Sequence, residues 1–228
     1  MVDKKPIAVV GAAIVLITIV TIFASSYMSD FDNARSSTED KFPKGEFESF
    51  NFKHITPLGS KSSPITIVKI GDYQCEMCKS WFDNTRPAII ENYINTGKVN
   101  LIFVDFPFLG NDSMTAAQAT YCAYDQGRYS DYHETLYQYQ QHVDDGWASS
   151  DRLSAFAFGL DLDVEQFDQC LNSKKYFSHV NFNKDLSQND FGVTSTPTFL
   201  LVNVYGDYNV LRGAHTYESF EKMIEELS

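Results

Sequence analysis

Hydrophobic residues recur with two different periods, and the switch between them divides the chain. Ile65-Thr66-Ile67-Val68-Lys69-Ile70 and Val99–Phe106 are short, nearly continuous apolar runs, the pattern of strands buried on both faces. Between them, Cys75 to about Tyr93 has helical spacing and would bury Trp81, Phe82, Ile89, Ile90 and Tyr93. Pro87 is expected to kink that helix by removing one ladder donor. Strand, helix and strand at this distance predict a right-handed βαβ unit. From Asn111 to about Asp190 strand patterns disappear. Met114–Gln126, Tyr132–His142, Arg152–Phe158, Val164–Leu171 and Tyr176–Ser187 carry helical spacing instead. Asp163, with Gln166 three residues on, predicts an N-cap and capping box for the fourth. Tyr132, Leu136 and Tyr139 share a helix face, which reads as packing. Thr198–Val204 and Asn209–Leu211 then flank Gly206-Asp207, a hairpin signal. Thr216 is placed to cap a closing amphipathic helix through Phe220, Met223, Ile224 and Leu227. The order βαβ, helical insertion at about 111–190, ββα predicts an α/β domain over 49–228.

A different pattern precedes it. Ile7 to Ala24 is almost wholly apolar, and no charged residue occurs from Pro6 to Ser29. As a helix the run spans about 27 Å at ~1.5 Å per residue, enough for a bilayer once Ser25–Met28 are included. Lys4 and Lys5 precede it, Asp30 and Asp32 follow it, so the positive-inside rule puts the rest of the chain outside the cytoplasm. Residues 1–29 therefore read as a membrane anchor, or as a signal segment cleaved near Ala24-Ser25-Ser26. Residues 30–48 are polar and irregular. They read as a flexible stem with an r.m.s. span of about 25 Å.

Composition narrows the class. Hydrophobic residues make up 43% of the chain, enough for a sizeable core. A formal charge of −12 argues against nucleic acid as a partner, which demands clustered Lys and Arg.

The chemistry lies at Cys75-Glu76-Met77-Cys78, directly after the first strand and in the first turn of the following helix. Unpaired N–H groups and roughly half a positive charge at a helix N-terminus favour a thiolate. A thiolate attacks disulfides, and a second cysteine within reach resolves the mixed disulfide. The same spacing serves half a zinc site, but zinc needs two more ligands. Cys122 and Cys170 are far apart, and none of the five histidines forms a ligand-spaced pair. Cys75 and Cys78 are thus the candidate catalytic pair, with no metal expected. The Glu76 carboxylate is expected to oppose the helix N-terminus and make the Cys75 thiolate harder to form, while Lys79 pulls the other way.

Cys75–Cys78, followed far downstream by Gly192-Val193-Thr194-Ser195-Thr196-Pro197-Thr198-Phe199, resembles the DsbA-like branch of the thioredoxin superfamily. Tyr121–Tyr129 and Cys170-Leu171-Asn172-Ser173 are similar to family segments, and the likeness covers roughly Phe47 to the C-terminus. It implies a thioredoxin fold with a helical insertion, and thiol–disulfide exchange on exported, cysteine-containing proteins without a cofactor. It also implies electron transfer to a membrane redox partner, quinone-linked in this family. A cis Thr196–Pro197 bond beside the active cysteines is implied too, exposing backbone for substrate pairing. Glu76-Met77 departs from the Pro-His dipeptide of strongly oxidising members, which leaves oxidase, isomerase and reductase directions open. Within the exported setting Cys122 and Cys170 form a structural disulfide, remain two separate buried thiols, or act as a shuttle for the first pair. A chaperone or metal carrier on the same fold is the alternative outside enzymes. Carriers of that kind use a wider cysteine spacing with a histidine.

Overall fold

The computed structural model describes residues 57–228. The expected anchor or signal segment and the stem lie outside the described residues, as do positions 49–56. Among the described residues no helix is long and apolar enough to cross a membrane.

The elements run β1 (Ile65–Gly71), α1 (Glu76–Asn84), α2 (Arg86–Ile89), β2 (Val99–Asp105), α3 (Asn111–Tyr124), α4 (Tyr129–Gln138), α5 (Ser150–Gly159), α6 (Val164–Asn172), α7 (Phe177–Asn189), β3 (Thr198–Asn203), β4 (Tyr208–Arg212) and α8 (Tyr217–Leu227). The four strands form one mixed sheet in the order β2-β1-β3-β4. β1 pairs with β2 in parallel and with β3 antiparallel, and β3 pairs antiparallel with β4. The result is a thioredoxin-like α/β fold. The chain before β1 blunts the outer edge of β2, where Leu58 and Leu101 exchange two backbone hydrogen bonds of 2.9 Å.

Register decides what the sheet presents to α1. Ile65, Ile67, Lys69 and Gly71 share one face of β1 and lie level with Val99, Leu101, Phe103 and Asp105 of β2. Phe199 of β3 lies level with Lys69 from the other side. On this face Trp81 of α1 packs its ring 4.8 Å from Phe199 and 5.8 Å from Phe220 of α8. Phe199 and Phe220 meet edge to face at 4.9 Å. Full burial of each phenylalanine stabilises by about 1.5–3 kcal/mol, so this cluster is a principal anchor of α1 and α8.

The helix after Cys75 is broken rather than kinked. α1 ends at Asn84, the break falls at Thr85, and Pro87 occupies the first turn of α2, where its missing N–H is not needed. α2 continues into a π-helical turn, Ile90–Ile94. The hairpin is closed by Asn203, whose Oδ1 accepts the N–H groups of Tyr205 and Asp207 at 3.0 Å. Asp163 caps α6 by accepting the Gln166 N–H at 3.0 Å. Thr216 stands at the N-cap of α8, but its side chain makes no capping bond to the helix backbone.

Helices α3–α7 form the insertion between β2 and β3. Tyr132 and Leu136 are buried in it, whereas Tyr139 is 56% exposed and stacks on Phe156 at 5.2 Å. The face shared by these three residues is therefore core for two of them only, because α4 ends at Gln138. Cys122 of α3 and Cys170 of α6 are joined by a disulfide, with Cα atoms 5.8 Å apart. Asp125, one turn beyond Cys122, accepts from Lys175 Nζ at 2.7 Å and Tyr176 O–H at 2.6 Å, so a polar clasp flanks the bridge.

Cross-linking positions 48 residues apart restricts the unfolded chain by about 4 kcal/mol in the chain-entropy model. The double variant Cys122→Ala/Cys170→Ala is expected to melt at a distinctly lower temperature under oxidising conditions. Its Cys75 alkylation rate at 25 °C should match that of the parent. An unchanged melting temperature would show that the bridge contributes nothing to stability.

Candidate active site

The loop between β1 and α1 is fixed before the cysteines enter. Asp72 is buried; its Oδ1 accepts the Gln74 N–H at 2.8 Å, and its Oδ2 accepts those of Phe108 and Leu109 at 2.9 and 3.1 Å. One carboxylate therefore holds together the loops that follow β1 and β2. Gln74, also buried, donates to Ser113 Oγ and to Asp144 Oδ1, both at 3.0 Å, and accepts the Asp144 N–H at 2.7 Å. Asp144 in turn accepts the N–H groups of Asn111 and Asp112, both at 3.1 Å, at the start of α3. Gln140 donates its side-chain amide to the carbonyls of Tyr73 and Cys75. The insertion thus grips the loop through three side chains.

Cys75 occupies the N-cap of α1 in extended conformation. Its sulfur accepts the Cys78 N–H at 3.3 Å and lies 3.3 Å from the Thr196 carbonyl, to which the thiol form donates. Thr196 is followed by a cis peptide to Pro197. The four residues singled out in the sequence, Cys75, Cys78, Thr196 and Pro197, are thereby brought to one place, while Cys122 and Cys170 are bonded elsewhere in the insertion. Cys75 is 6% exposed and Cys78 not at all. Both are thiols here.

The two sulfurs are pushed apart electrostatically. Hydrogen bonding with the Cys78 side chain, and then with Thr196 and the backbone N–H groups of Cys78 and Met77, lowers Cys75 to about 6 against the opposing effect of burial. Burial raises Cys78 well above the usual thiol range. Glu76 does not dominate as its sequence position suggested. Its side chain is largely exposed and points toward His142, with Oε1 3.6 Å from Nδ1, so solvent screens it from the sulfur. Lys79 is likewise engaged elsewhere, donating to the Tyr137 carbonyl at 2.7 Å and pairing with Asp83 at 3.1 Å.

An aromatic wall closes the site from below. The Tyr73 hydroxyl meets His133 Nδ1 at 2.7 Å, and Tyr137 stacks on Phe82 at 5.0 Å. His133 is held neutral, its pKa pushed well below the usual range by burial. Lys69 of β1 points into this wall and is fully buried. Sequence patterning passed over Asp72, Gln74, Gln140, Asp144 and Lys69. The first four act through tertiary hydrogen bonds that no periodicity encodes. Lys69 did carry a signal, as the single charge inside an otherwise apolar strand. Among the described residues, no three of His, Cys, Asp and Glu gather in the manner of metal ligands.

A low-pKa thiol at a helix N-cap, a buried second thiol and a neighbouring cis-proline loop can perform thiol–disulfide exchange. The comparisons agree. A thioredoxin family model matches residues 53–226. Probable disulfide bond formation protein D of Bacillus cereus is 34% identical over 68% of this chain and 73% of its own length. Disulfide bond formation protein D of Bacillus subtilis is 28% identical over 74% and 75%. Among solved structures, oxidised BdbD from Bacillus subtilis superposes with a TM-score of 0.69 at 27% identity, covering 78% of this chain and 94% of that one. α-DsbA1 of Wolbachia pipientis gives 0.66 at 26% identity, covering 76% and 90%. The chain belongs to the thioredoxin family. Within it, the protein is a DsbA-like protein thiol:disulfide oxidoreductase.

The Cys75 pKa predicts a measurable profile. Alkylation of the reduced protein by iodoacetamide is expected to rise with pH around a midpoint near 6. Because the folded value lies below the free-thiol value of 9.0, Cys75 stabilises the reduced fold fully above pH 9. That contribution is lost as pH falls through 6. Denaturant unfolding of the reduced protein against Cys75→Ser should show the difference growing between those limits.

Proposed function

We propose that Cys75 is the nucleophilic cysteine and Cys78 its resolving partner, and that the protein works chiefly in the oxidising direction on exported, cysteine-containing proteins. The observation that carries this reading is the Cys75 sulfur held at the α1 N-terminus, with its pKa lowered to about 6. A stabilised thiolate favours the reduced form, which makes the Cys75–Cys78 disulfide the stronger oxidant. The names of the Bacillus relatives, disulfide bond formation proteins, support the same direction.

In the oxidising cycle a substrate thiolate attacks the Cys75 sulfur of the disulfide. A mixed disulfide forms at Cys75, and the electron pair of the broken bond goes to Cys78. A second substrate thiolate then attacks the substrate sulfur, and Cys75 leaves as a thiolate, which its low pKa favours. Thr196 and Pro197 would bind the substrate backbone beside the sulfur. Met77, 52% exposed next to Cys75, offers an apolar contact to an unfolded segment. Cysteine sulfurs carry the whole exchange, so no cofactor is invoked. Reoxidation is assigned to a membrane redox partner, quinone-linked by family resemblance. Residues 1–29 would anchor the protein or direct its export, and 30–48 would serve as the stem of a domain outside the cytoplasm. Cys122–Cys170 is assigned a structural role.

Trapping tests the assignment. The Cys78→Ala protein is expected to accumulate mixed disulfides with exported proteins, and mass spectrometry should place every adduct at Cys75. Adducts at Cys122 or Cys170 with none at Cys75 would overturn it. In fractionated cells the protein is expected with membranes, its domain open to external protease; recovery of an intact N-terminus in the soluble cytosol would overturn the topology. A Cys75–Cys78 reduction potential near that of thioredoxin, about −270 mV, would instead favour a reductase.

A further inference from the structure

Helices α4 and α5 leave a groove of about 440 Å³ between them, away from the sheet. Its size falls within the range of sites that hold ligands, roughly 300–1,000 Å³. The Tyr139–Phe156 stack lines one part, and Ala155 and Gly159, one turn apart on α5, line another. A Cβ built on Gly159 would meet nothing within 4 Å, so this glycine keeps space open that a larger side chain would fill. Arg152 completes the lining. The neighbouring arginines are neutralised, Arg128 by Asp131 and Arg86 by Glu134, whereas Arg152 has no ion pair or hydrogen bond among the described residues. On a chain of formal charge −12 this leaves a free cation beside exposed aromatic surface. Tyrosine and arginine are also the residue types that most often carry binding energy at interfaces.

The groove is joined to the redox loop. α4 ends at Gln138, and the next two residues go opposite ways. Tyr139 is 56% exposed and enters the groove, while Gln140 is buried and donates to the Tyr73 carbonyl and, at 3.1 Å, to that of Cys75. Two residues further on, His142 Nδ1 lies 3.6 Å from Glu76 Oε1. Cys75 and Tyr139 are thus separated by one hydrogen bond, one glutamine side chain and one peptide unit, on the order of 12–15 Å, which about four or five extended residues span at ~3.3 Å each.

Resting on the assignment of Cys75 as nucleophile above, we propose that the α4–α5 groove is a second substrate-binding site. It takes the unfolded chain about four or five residues from the cysteine that bonds to Cys75. An aromatic or branched apolar side chain lies against Tyr139 and Phe156 over Gly159, and a neighbouring carboxylate pairs with Arg152. Charge complementarity selects an acidic–apolar segment over a basic one, and the continuity through Gln140 selects a chain already held at the redox loop. The site thereby discriminates among exported proteins by sequence around the reacting cysteine, which the sulfur chemistry alone cannot do.

The test uses the full-length Cys78→Ala protein, reduced, with cysteine peptides activated as pyridyl disulfides. The Cys75 thiolate attacks the peptide sulfur, the peptide–Cys75 bond forms, and thiopyridone leaves with the electron pair and takes a proton from water; its absorbance gives the rate. Each rate is divided by that of N-acetylcysteine pyridyl disulfide, too small to reach the groove. Peptides with Phe-Glu about five residues from the cysteine, on one side or the other, should react about tenfold faster than Gly-Ser peptides. The advantage should vanish when Phe-Glu adjoins the cysteine. Gly159→Leu, which fills the groove, should abolish it, and Arg152→Glu should transfer it to Phe-Lys peptides. Equal rates for all peptides, or an advantage that survives both substitutions, would overturn the proposal. So would a groove given to another occupant: anilinonaphthalene sulfonate displaced by Gly159→Leu without any peptide preference, or a dimer that this substitution dissociates. If N-acetylcysteine pyridyl disulfide itself leaves no adduct at Cys75, the cysteine assignment falls and the second site with it.

Discussion

A hydrogen bond from the Cys78 N–H to the Cys75 sulfur is the interaction on which the site depends. It exists because the short loop after β1 ends with Cys75 at the N-cap of α1, and because the first N–H groups of any helix lack intrahelical acceptors. The sulfur takes the place a serine or aspartate oxygen would fill at an ordinary N-cap. The helix therefore gains a cap when Cys75 ionises, and the thiolate gains a donor. The Trp81–Phe199–Phe220 cluster makes the arrangement rigid, since it fixes α1 on the sheet one turn below the cysteines.

Two environments a few atoms apart give the cysteines different characters. Cys75 meets donors from α1 and the carbonyl of Thr196. Cys78 faces an interior of aromatic rings, a glycine and a lysine. The same burial that keeps Cys78 protonated drives Lys69 toward its neutral amine. Neither group is favoured as an isolated ion in this interior.

Much of the fold was legible in the sequence because its signals are local. Strands β1 and β2 announce themselves as apolar runs, the insertion as a stretch without strand patterns, and the α6 cap as Asp163 ahead of Gln166. The break at Thr85 was misplaced because a proline reports that a helix is disturbed, whereas the location of the break depends on where the first turn of the next helix finds room. Tyr139 was grouped with Tyr132 and Leu136 by spacing, yet the helix ends one residue earlier. The Glu76 effect was overstated for a related reason: sequence gives proximity along the chain, while in the fold the carboxylate is largely exposed and turned toward His142. Gln74, Gln140 and Asp144 had no signature, since a buried amide looks like any surface glutamine until its partners are known.

Those amides carry a consequence for how the protein diverges. The redox loop and the helical insertion are separate in chain order, but Gln74 is saturated by Asp144 and Ser113, and Gln140 by the carbonyls of Tyr73 and Cys75. The Gln74–Ser113 and Gln140 contacts are buried, so losing one of those partners leaves the other unsatisfied at about 1–3 kcal/mol, whereas Asp144 is exposed to water. A change on one side therefore demands a matching change on the other. The insertion is bound by inheritance to the loop it serves, and a chimera that exchanges one without the other would inherit half of a lock.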